Sequence, residues 1–193
     1  MGGRKVPEQE RRESLLAAAA SVAVTEGLEA VTARRVAAAA DASSGLVFFH
    51  FGSKEGLLLA LLESILGRTL DAADKPELAT LPAWDRLYEM VRMEIEELPE
   101  QRGFVELLFA YYFIRRDELF RDPIDKALGL YAEAFLPSCR DVAEETGTHA
   151  EHIATTVLSL IQGAAVQVIR APASFDPESI LSSLRAFKPI HSN

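Results

Sequence analysis

The sequence predicts an all-α protein, and three observations support this fold class. Apolar residues recur at intervals of three and four along almost the whole chain, which is the period of an amphipathic helix. No run rich in Val, Ile and Thr alternates with polar residues between turn signals, so strands are not indicated. With 193 residues, 49% of them apolar, the chain is long enough to bury a core.

The first two helices are predicted from their ends. The apolar period of residues 10–26 predicts the first helix, and Gly27 is placed to stop it in a left-handed cap. Thr32 predicts the start of a second helix, because its hydroxyl can accept a hydrogen bond from a first-turn amide. This second helix should be about two turns long, since Asp41 interrupts the pattern.

Two serines mark the next helix starts. Ser43 predicts a third helix that reaches about His50 before Gly52 ends it, and Ser53 predicts a fourth that ends near residues 67–70. Two short helices joined by a tight turn form a helix-turn-helix, whose second helix can lie in the major groove of DNA. The same spacing also occurs in ordinary helical bundles, so spacing alone leaves both interpretations open.

Beyond residue 70 the sequence predicts a linker followed by five helices. The linker is expected at residues 71–82, which contain two prolines. Helices are predicted at 83–98, 103–115, 122–146, 150–170 and 177–187, with Pro99, Pro123, Gly147 and Pro172 as separators.

The charge is distributed unevenly along the chain. Residues 1–70 carry 8 basic and 8 acidic side chains, and the remaining 12 basic and 21 acidic ones follow, so the net charge of −9 arises entirely in the second part. Only the first part is therefore suited to contact a polyanion.

Composition also bears on compartment and on metals. Cys139 is the single cysteine, so an internal disulfide and a Cys-x-x-Cys metal site are both excluded, and a reducing cytoplasm is the expected location. No run approaches the roughly 20 apolar residues that span a bilayer, and no membrane partner is expected. His149 and His152 share a helical face without an evident third ligand, so no metal or other cofactor is expected.

The most specific signal is the string VTARRVA at residues 31–37 followed by SSGLVFFHFGSKEGL at residues 43–57. It closely resembles the N-terminal domain of the tetracycline-repressor (TetR-like) family, over roughly residues 10–57. The resemblance implies a three-helix DNA-binding domain over residues 1–53 and a helical effector-binding and dimerisation domain over residues 54–193. It implies a transcriptional regulator, most simply a repressor that a small-molecule effector releases from its operator.

The resemblance also implies roles for single residues. Thr32 and His50 would bond DNA phosphates, and Lys54 would add a charge-assisted phosphate contact at the first turn of the fourth helix. The positions from which the family's recognition helix faces base edges are Ser44, Gly45 and Leu46. The complete expected DNA-binding set is Thr32, Arg34, Arg35, Ser43, Ser44, Gly45, Leu46, Phe48, Phe49, His50 and Lys54.

Three positions depart from the usual family pattern. Asp41 stands where glycine is common, and Asp tolerates the left-handed region better than most residues. Phe48 replaces a common tyrosine, and Leu46 replaces a frequent small hydroxyl residue. The recognition surface is therefore more apolar than usual, although contact with a thymine methyl group remains available. One or two of the three phenylalanines at positions 48, 49 and 51 are expected to lie in the small core.

Aromatic side chains in the second part could line an apolar effector pocket, with tyrosine and tryptophan supplying polar groups. The pocket is predicted among the helices at 83–98 and 103–115 and the end of the fourth helix, although ordinary core packing remains an alternative for each residue. The residues predicted to bind the effector are Trp84, Tyr88, Phe104, Leu108, Tyr111 and Tyr112.

The last two helices are predicted to form a homodimer. Apolar residues cover more of the stretch 150–170 than a single stripe, so this helix should be covered on two sides. The predicted interface consists of Ile153, Val157, Leu160, Ile161, Ala164, Val168, Ile180 and Leu184.

Two other functional classes stay open at this point. A helical small-molecule enzyme or carrier would use the aromatic residues without binding DNA, and a protein-interaction bundle would use its apolar helices alone. P-loop, HExxH and GxSxG motifs do not occur in the sequence, so an enzyme is not predicted. Cys139 is expected to be a core residue rather than a redox sensor.

Overall fold

The computed structural model describes residues 7–73, 76–114 and 118–188, and all regular structure in these ranges is helical. The prediction of an all-α fold is therefore confirmed. The eight helices of the described ranges are α1 (Glu8–Glu26), α2 (Ala33–Ala39), α3 (Ser44–Phe51), α4 (Lys54–Ala73), α5 (Ala83–Ile114), α6 (Glu118–Thr146), α7 (Ala150–Arg170) and α8 (Pro177–Arg185). Short 3-10 turns occur at Leu28–Ala30, Pro76–Thr80 and Pro172–Ser174.

The described residues pack into two compact units. The first takes in the chain up to Gly67 together with Glu106–Ile124, and the second takes in Arg68–Val105 and the chain from Asp125 onward. The first unit has a core that includes Leu15, Val22, Val31, Val36, Val47, Leu57, Leu58, Leu61 and Tyr111. The functional division into domains 1–53 and 54–193 stays a prediction. The packing units do not follow that boundary, because they group α4 up to Gly67 with the N-terminal helices.

The end of α1 differs in detail from the predicted cap. Gly27 has φ 86° and ψ 164°, and its amide donates a hydrogen bond to the Ala23 carbonyl. This conformation lies outside the left-handed helical region and is accessible essentially to glycine alone. Gly27 therefore ends the helix as predicted, in a different backbone conformation.

The two helices predicted at 83–98 and 103–115 are one helix, α5, with Pro99 inside it. Proline removes a single amide donor and disfavours the helix locally. In α5 the buried apolar face continues up to Pro99, since it includes Val91, Ile95 and Leu98. Tertiary packing thus outweighs the local signal, and α6 likewise begins at Glu118, ahead of Pro123.

The predicted linker at residues 71–82 is largely helical where it is described. Helix α4 continues through Ala73, and a 3-10 turn covers Pro76–Thr80. Residues 74 and 75 lie outside the described ranges. The connection to α5 therefore contains a helical turn that begins at Pro76, where the sequence predicts a linker.

Helix α7 meets the length and composition of a membrane span, with 21 residues and a mean hydropathy of 1.5. Its apolar residues have another role in this chain, because Ala154, Val157, Ile161, Ala164 and Val168 are buried within the protein. One side of α7 is therefore part of the protein core, and the other side is accessible.

Candidate DNA-binding surface

Helix α2 is fixed at its start by a cap and at its inner side by two apolar residues. The Thr32 hydroxyl accepts a hydrogen bond from the Arg35 amide at 3.2 Å, as predicted for an N-cap. Val36 and Ala37 are buried, and α2 packs against α1 and α3. Thr32, Arg34 and Arg35 are exposed, which leaves the outer side of this helix start open.

The turn from α2 to α3 depends on one residue with positive φ. Asp41 has φ 49°, and it is the one non-glycine with positive φ in the described residues. The Ala42 amide donates to the Ala37 carbonyl at 2.9 Å, which closes the turn. The Ser43 hydroxyl then accepts a hydrogen bond from the Leu46 amide at 3.2 Å and caps α3. The predicted helix-turn-helix is thus present.

Helix α3 has a buried side and an exposed side. Val47 and Phe51, one turn apart, are only 2% and 9% exposed and anchor the helix in the core. Phe48 and Phe49 are 52% and 72% exposed, so of the three phenylalanines only Phe51 joins the core. We call this side the outward face of α3; it consists of the exposed Gly45, Phe48 and Phe49 and the half-buried Leu46.

The two polar side chains of α3 are partly covered. His50 is half-buried, with ring centroids 5.1 Å from Phe49 and 6.2 Å from Phe51. Ser44 is half-buried at the first turn. His50 therefore sits at the end of α3, where its phosphate contact is predicted, held between two aromatic rings.

The corner between α3 and α4 depends on two glycines. The helix axis turns by 68° there, and Gly52 takes φ 74°. The Ser53 hydroxyl accepts a hydrogen bond from the Gly56 amide at 3.0 Å and caps α4 as predicted. A Cβ at Gly56 would lie 2.1 Å from the Phe51 carbonyl oxygen, so only glycine fits. This role of Gly56 was not predicted, although a second glycine four residues after Gly52 is a visible signal in the sequence.

Two of the predicted DNA-contacting cations are already paired with carboxylates. The Arg35 guanidinium binds both carboxylate oxygens of Glu26, with distances of 2.5 to 3.1 Å. The hydrogen bonds from Arg35 lower the pKa of Glu26, and the same pair raises the pKa of Arg35. Lys54 Nζ lies 3.4 Å from the Glu29 carbonyl oxygen and 3.9 Å from its carboxylate. These acidic partners were not predicted, because each is distant in sequence from its cation.

Arg34 differs from these two cations. It is exposed, and the described part of the chain offers it neither an ion pair nor a hydrogen-bond partner for its side chain. Among the arginines of α2, Arg34 thus has the more accessible charge.

The residues predicted to bind an effector lie along the single helix α5. In the second unit, Tyr88 is buried, and its hydroxyl accepts a hydrogen bond from Arg185 at 2.6 Å. Trp84 and Phe104 are half-buried. Tyr88 and Phe104 are separated by about 24 Å along a continuous helix. The two facing helices of the predicted pocket are thus a single helix, on which these two residues lie more than four turns apart.

The other predicted effector residues belong to the first unit. Tyr111 is fully buried, its hydroxyl donates to the Leu58 carbonyl at 2.8 Å, and its ring lies 5.7 Å from that of Phe120. Leu108 and Tyr112 are half-buried. Tyr111 therefore fills the core of this unit, which was the alternative left open by the sequence.

The residues of the predicted dimer interface fall into two groups. Val157, Ile161, Ala164 and Val168 are buried within the single chain and belong to its own core. Ile153, Leu160, Ile180 and Leu184 are half-buried. The accessible group is the one that a second copy could contact.

Cys139 is fully buried, and burial raises the pKa of its thiol to about 11. The predicted role as a core residue is confirmed. The His149 and His152 rings lie 4.9 Å apart, and no group of three or more potential metal ligands occurs in the described ranges.

The residues of the helix-turn-helix are similar to those of a known protein family. Residues 15–61 match the family model described as bacterial regulatory proteins of the tetR family. The chain also superimposes on a protein from Pseudomonas aeruginosa PAO1 described as a transcriptional regulator, with a TM-score of 0.79 over 94% of this chain and 90% of that one, at 22% identity. The N-terminal part of the chain is thus similar to the TetR family.

The TetR-family match covers α1 from Leu15, the helix-turn-helix and the start of α4. A curated relative, the HTH-type transcriptional regulator BetI of Rhizobium meliloti (strain 1021), is 36% identical over 86 residues, which is 45% of this chain. The chain spans 42% of the length of that relative. A regulator from Saccharomonospora viridis, solved in complex with choline, has a TM-score of 0.75 at 22% identity over 93% of this chain and 95% of its own. The family is one of regulatory proteins rather than of enzymes.

Proposed function

We propose that this chain is a cytoplasmic transcriptional repressor that binds operator DNA as a homodimer and leaves it when a small-molecule effector binds. The observation that carries the proposal is the outward face of α3, an exposed side on a short helix whose opposite side is anchored in the core. A helix held in this way can enter the major groove without disturbing the fold.

The capping hydroxyls support phosphate contacts on both sides of the turn. Thr32 and Ser43 each accept a hydrogen bond from an amide, and a hydroxyl in that position keeps its own proton for donation. A phosphate oxygen can accept that proton. Lys54 stands in the first turn of α4, where free amides add to its attraction for an anion.

The carboxylates of Glu26 and Glu29 compete with DNA for Arg35 and Lys54. A phosphate must displace each carboxylate before it gains the cation, so part of the electrostatic attraction is offset. Binding should still weaken with salt, because every phosphate contact releases counterions. We expect low affinity for arbitrary DNA and a larger contribution from base contacts.

The accessible side of α7 supports a dimer, but with an interface that differs from the one the sequence predicts. No residue from 153 to 169 is charged, and Val166 is 47% exposed. The space at the Cβ position of Gly163 is open, which permits close approach of a second helix. We propose that the interface uses this exposed side together with Ile153 and Leu160, and with Ile180 and Leu184 of α8.

The effector is proposed to bind among the half-buried aromatic side chains of the second unit. Trp84 and Phe104 remain candidates there, as separate contacts rather than two walls of one pocket. The structural neighbour from Saccharomonospora viridis binds choline, and at 22% identity this likeness shows the fold and leaves the effector class of this chain open. Any effector can release DNA only if it binds the non-operator state more tightly, typically by about 1 to 3 kcal/mol.

A gel shift with a salt series tests DNA binding. The wild-type chain should select a near-palindromic duplex from random sequence, with affinity that falls steeply as salt rises. Lys54→Ala should weaken binding to every sequence and reduce the salt slope by about one. Lys126→Ala, at an exposed lysine of α6, is the matched control and should change neither. Absence of selective, salt-dependent binding by the wild-type chain would refute the proposal.

Light scattering at micromolar concentration tests the dimer. Val166→Glu should give helical monomers that lose operator affinity, because the new charge would be buried in the interface. Leu130→Glu changes a residue of α6 with similar exposure, 42%, and should leave the dimer intact. A monomeric wild-type chain, or a Val166→Glu variant that still dimerises, would contradict the proposed interface.

A further inference from the structure

We propose that the outward face of α3 reads thymine methyl groups, with Phe49 as the residue that determines base preference and Gly45 as the opening that admits the base edge. The inference rests on the proposed function and goes further by naming the base chemistry that the recognition helix selects.

Helix α3 lacks the side chains that usually bond base edges in the major groove. Bases are distinguished in the major groove chiefly by Arg, Lys, Asn and Gln, whose side chains bond guanine or adenine edges in pairs. Helix α3 carries none of these four residue types. Its polar side chains, Ser44 and His50, are both half-buried. Recognition through paired hydrogen bonds from this helix is therefore not available.

Phe49 is strongly exposed for an aromatic residue. Its side chain is 72% exposed on the side opposite Val47 and Phe51. Its ring contact within the described residues is an edge-to-face arrangement with His50. The fold gains little from an aromatic ring in this position, whereas a partner with an apolar group can cover it. In the major groove that group is the C5-methyl of thymine.

Gly45 has open space around its Cα atom. Its φ is not positive, and a Cβ there would meet only the Ser43 hydroxyl, at 3.9 Å. Nothing in the described structure requires glycine, which is a poor helix former. Gly45 lies one turn before Phe49, and helical side chains lean towards the preceding turn. The missing side chain thus leaves room beside the Phe49 ring for an approaching base.

Replacing thymine by uracil in the DNA tests the contact directly, because the only change is the loss of a methyl group. The duplex most enriched from random sequence by the wild-type chain is synthesised with uracil at one thymine position at a time. At each position where the protein contacts a thymine methyl, uracil should lower the affinity about fourfold. This corresponds to about 0.8 kcal/mol, the usual contribution of one buried methylene-sized group.

Combining the uracil substitution with a protein variant tests whether Phe49 makes the contact with the methyl group. Phe49→Ala should lower affinity for the selected duplex and lose the difference between thymine and uracil. Phe187→Ala removes a ring with similar exposure, 75%, beyond the end of α8, and should keep that difference. Circular dichroism verifies that both variants remain helical.

Glycine variants distinguish an effect on the approach of the base from an effect on the stability of the fold. Gly45→Ala and Gly129→Ala should both keep or raise the melting temperature, because each position is open and helical. Only Gly45→Ala should reduce affinity for the selected duplex. Equal DNA affinities for the two variants would overturn the role given to Gly45.

The outcomes distinguish this inference from the proposed function. Selective DNA binding with no sensitivity to uracil at any thymine would overturn the inference and leave the repressor proposal intact. Sensitivity to uracil that persists in Phe49→Ala would overturn the role of Phe49. Failure of the wild-type chain to bind any duplex selectively would refute the proposed function, and this inference with it.

Discussion

Residues that favour the start or end of a helix act as predicted in residues 27–56 but not in helix α5. In the first segment two glycines and three capping residues end or start helices where the sequence predicts it: Gly27, Thr32, Ser43, Gly52 and Ser53. In α5 the strongest helix-breaking residue, Pro99, lies inside an unbroken helix of 32 residues. Helices of seven or eight residues bury little area, so their ends decide their stability. A long helix with a continuous buried face can accommodate one poor residue.

The largest expected effect concerns Gly56 in the first segment. Gly56→Ala would place Cβ against the Phe51 carbonyl oxygen, a backbone atom that cannot rotate away. We expect a loss of about 3 kcal/mol in unfolding free energy, seen as a lower melting temperature by circular dichroism. Gly67→Ala lies in the same helix with open space around Cβ and should not lower the melting temperature. A Gly56→Ala variant as stable as the wild type would show that the corner can relax.

Pro99 provides the converse test in α5. Pro99→Ala would restore an amide that can bond the Ile95 carbonyl, and we expect a gain of about 1 to 2 kcal/mol after the greater entropy of the unfolded chain is subtracted. Pro82→Ala is the matched control, because Pro82 precedes the first residue of α5 and restores no such bond. Chemical denaturation measures both. A loss of stability in Pro99→Ala would mean that the helix depends on the proline.

The cap of α2 gives a smaller effect. Thr32→Ala removes the hydroxyl that accepts the Arg35 amide and should cost about 1 kcal/mol. Thr32→Ser keeps the hydroxyl and should retain most of the stability and the DNA affinity. If urea denaturation gave the same midpoint for Thr32→Ala and wild type, local capping would not account for the start of α2.

The smallest expected effect tests the carboxylates near the DNA-binding cations. Glu29→Gln should raise DNA affinity about twofold at low salt, because Lys54 would no longer be shared with a carboxylate. Glu55→Gln removes the same charge from an exposed position in the first turn of α4 and measures the general effect of charge alone. Equal affinities for the two variants would show that the Lys54–Glu29 pair does not restrain DNA binding.

The helix-turn-helix could be predicted almost completely, because its information is local. Thr32, Asp41, Ser43 and Gly52 each act on residues within four positions along the chain. The sequence could not reveal that Arg35 and Lys54 are paired with Glu26 and Glu29, since these partners lie 9 and 25 residues away.

For the second part of the chain, the helical period and the limits of α7 follow from the sequence alone. Which apolar residues of α7 face the core was decided only in three dimensions, because apolar residues cover more than one side of that helix. The same holds for Tyr111, whose aromatic ring suits a pocket or a core equally well until its hydroxyl is seen to donate to Leu58. Sequence by itself determined the helix ends that depend on near neighbours. Tertiary packing determined the continuity of α5, the pairing of the cations and the division between core and accessible surface, because these depend on contacts between residues far apart in the chain.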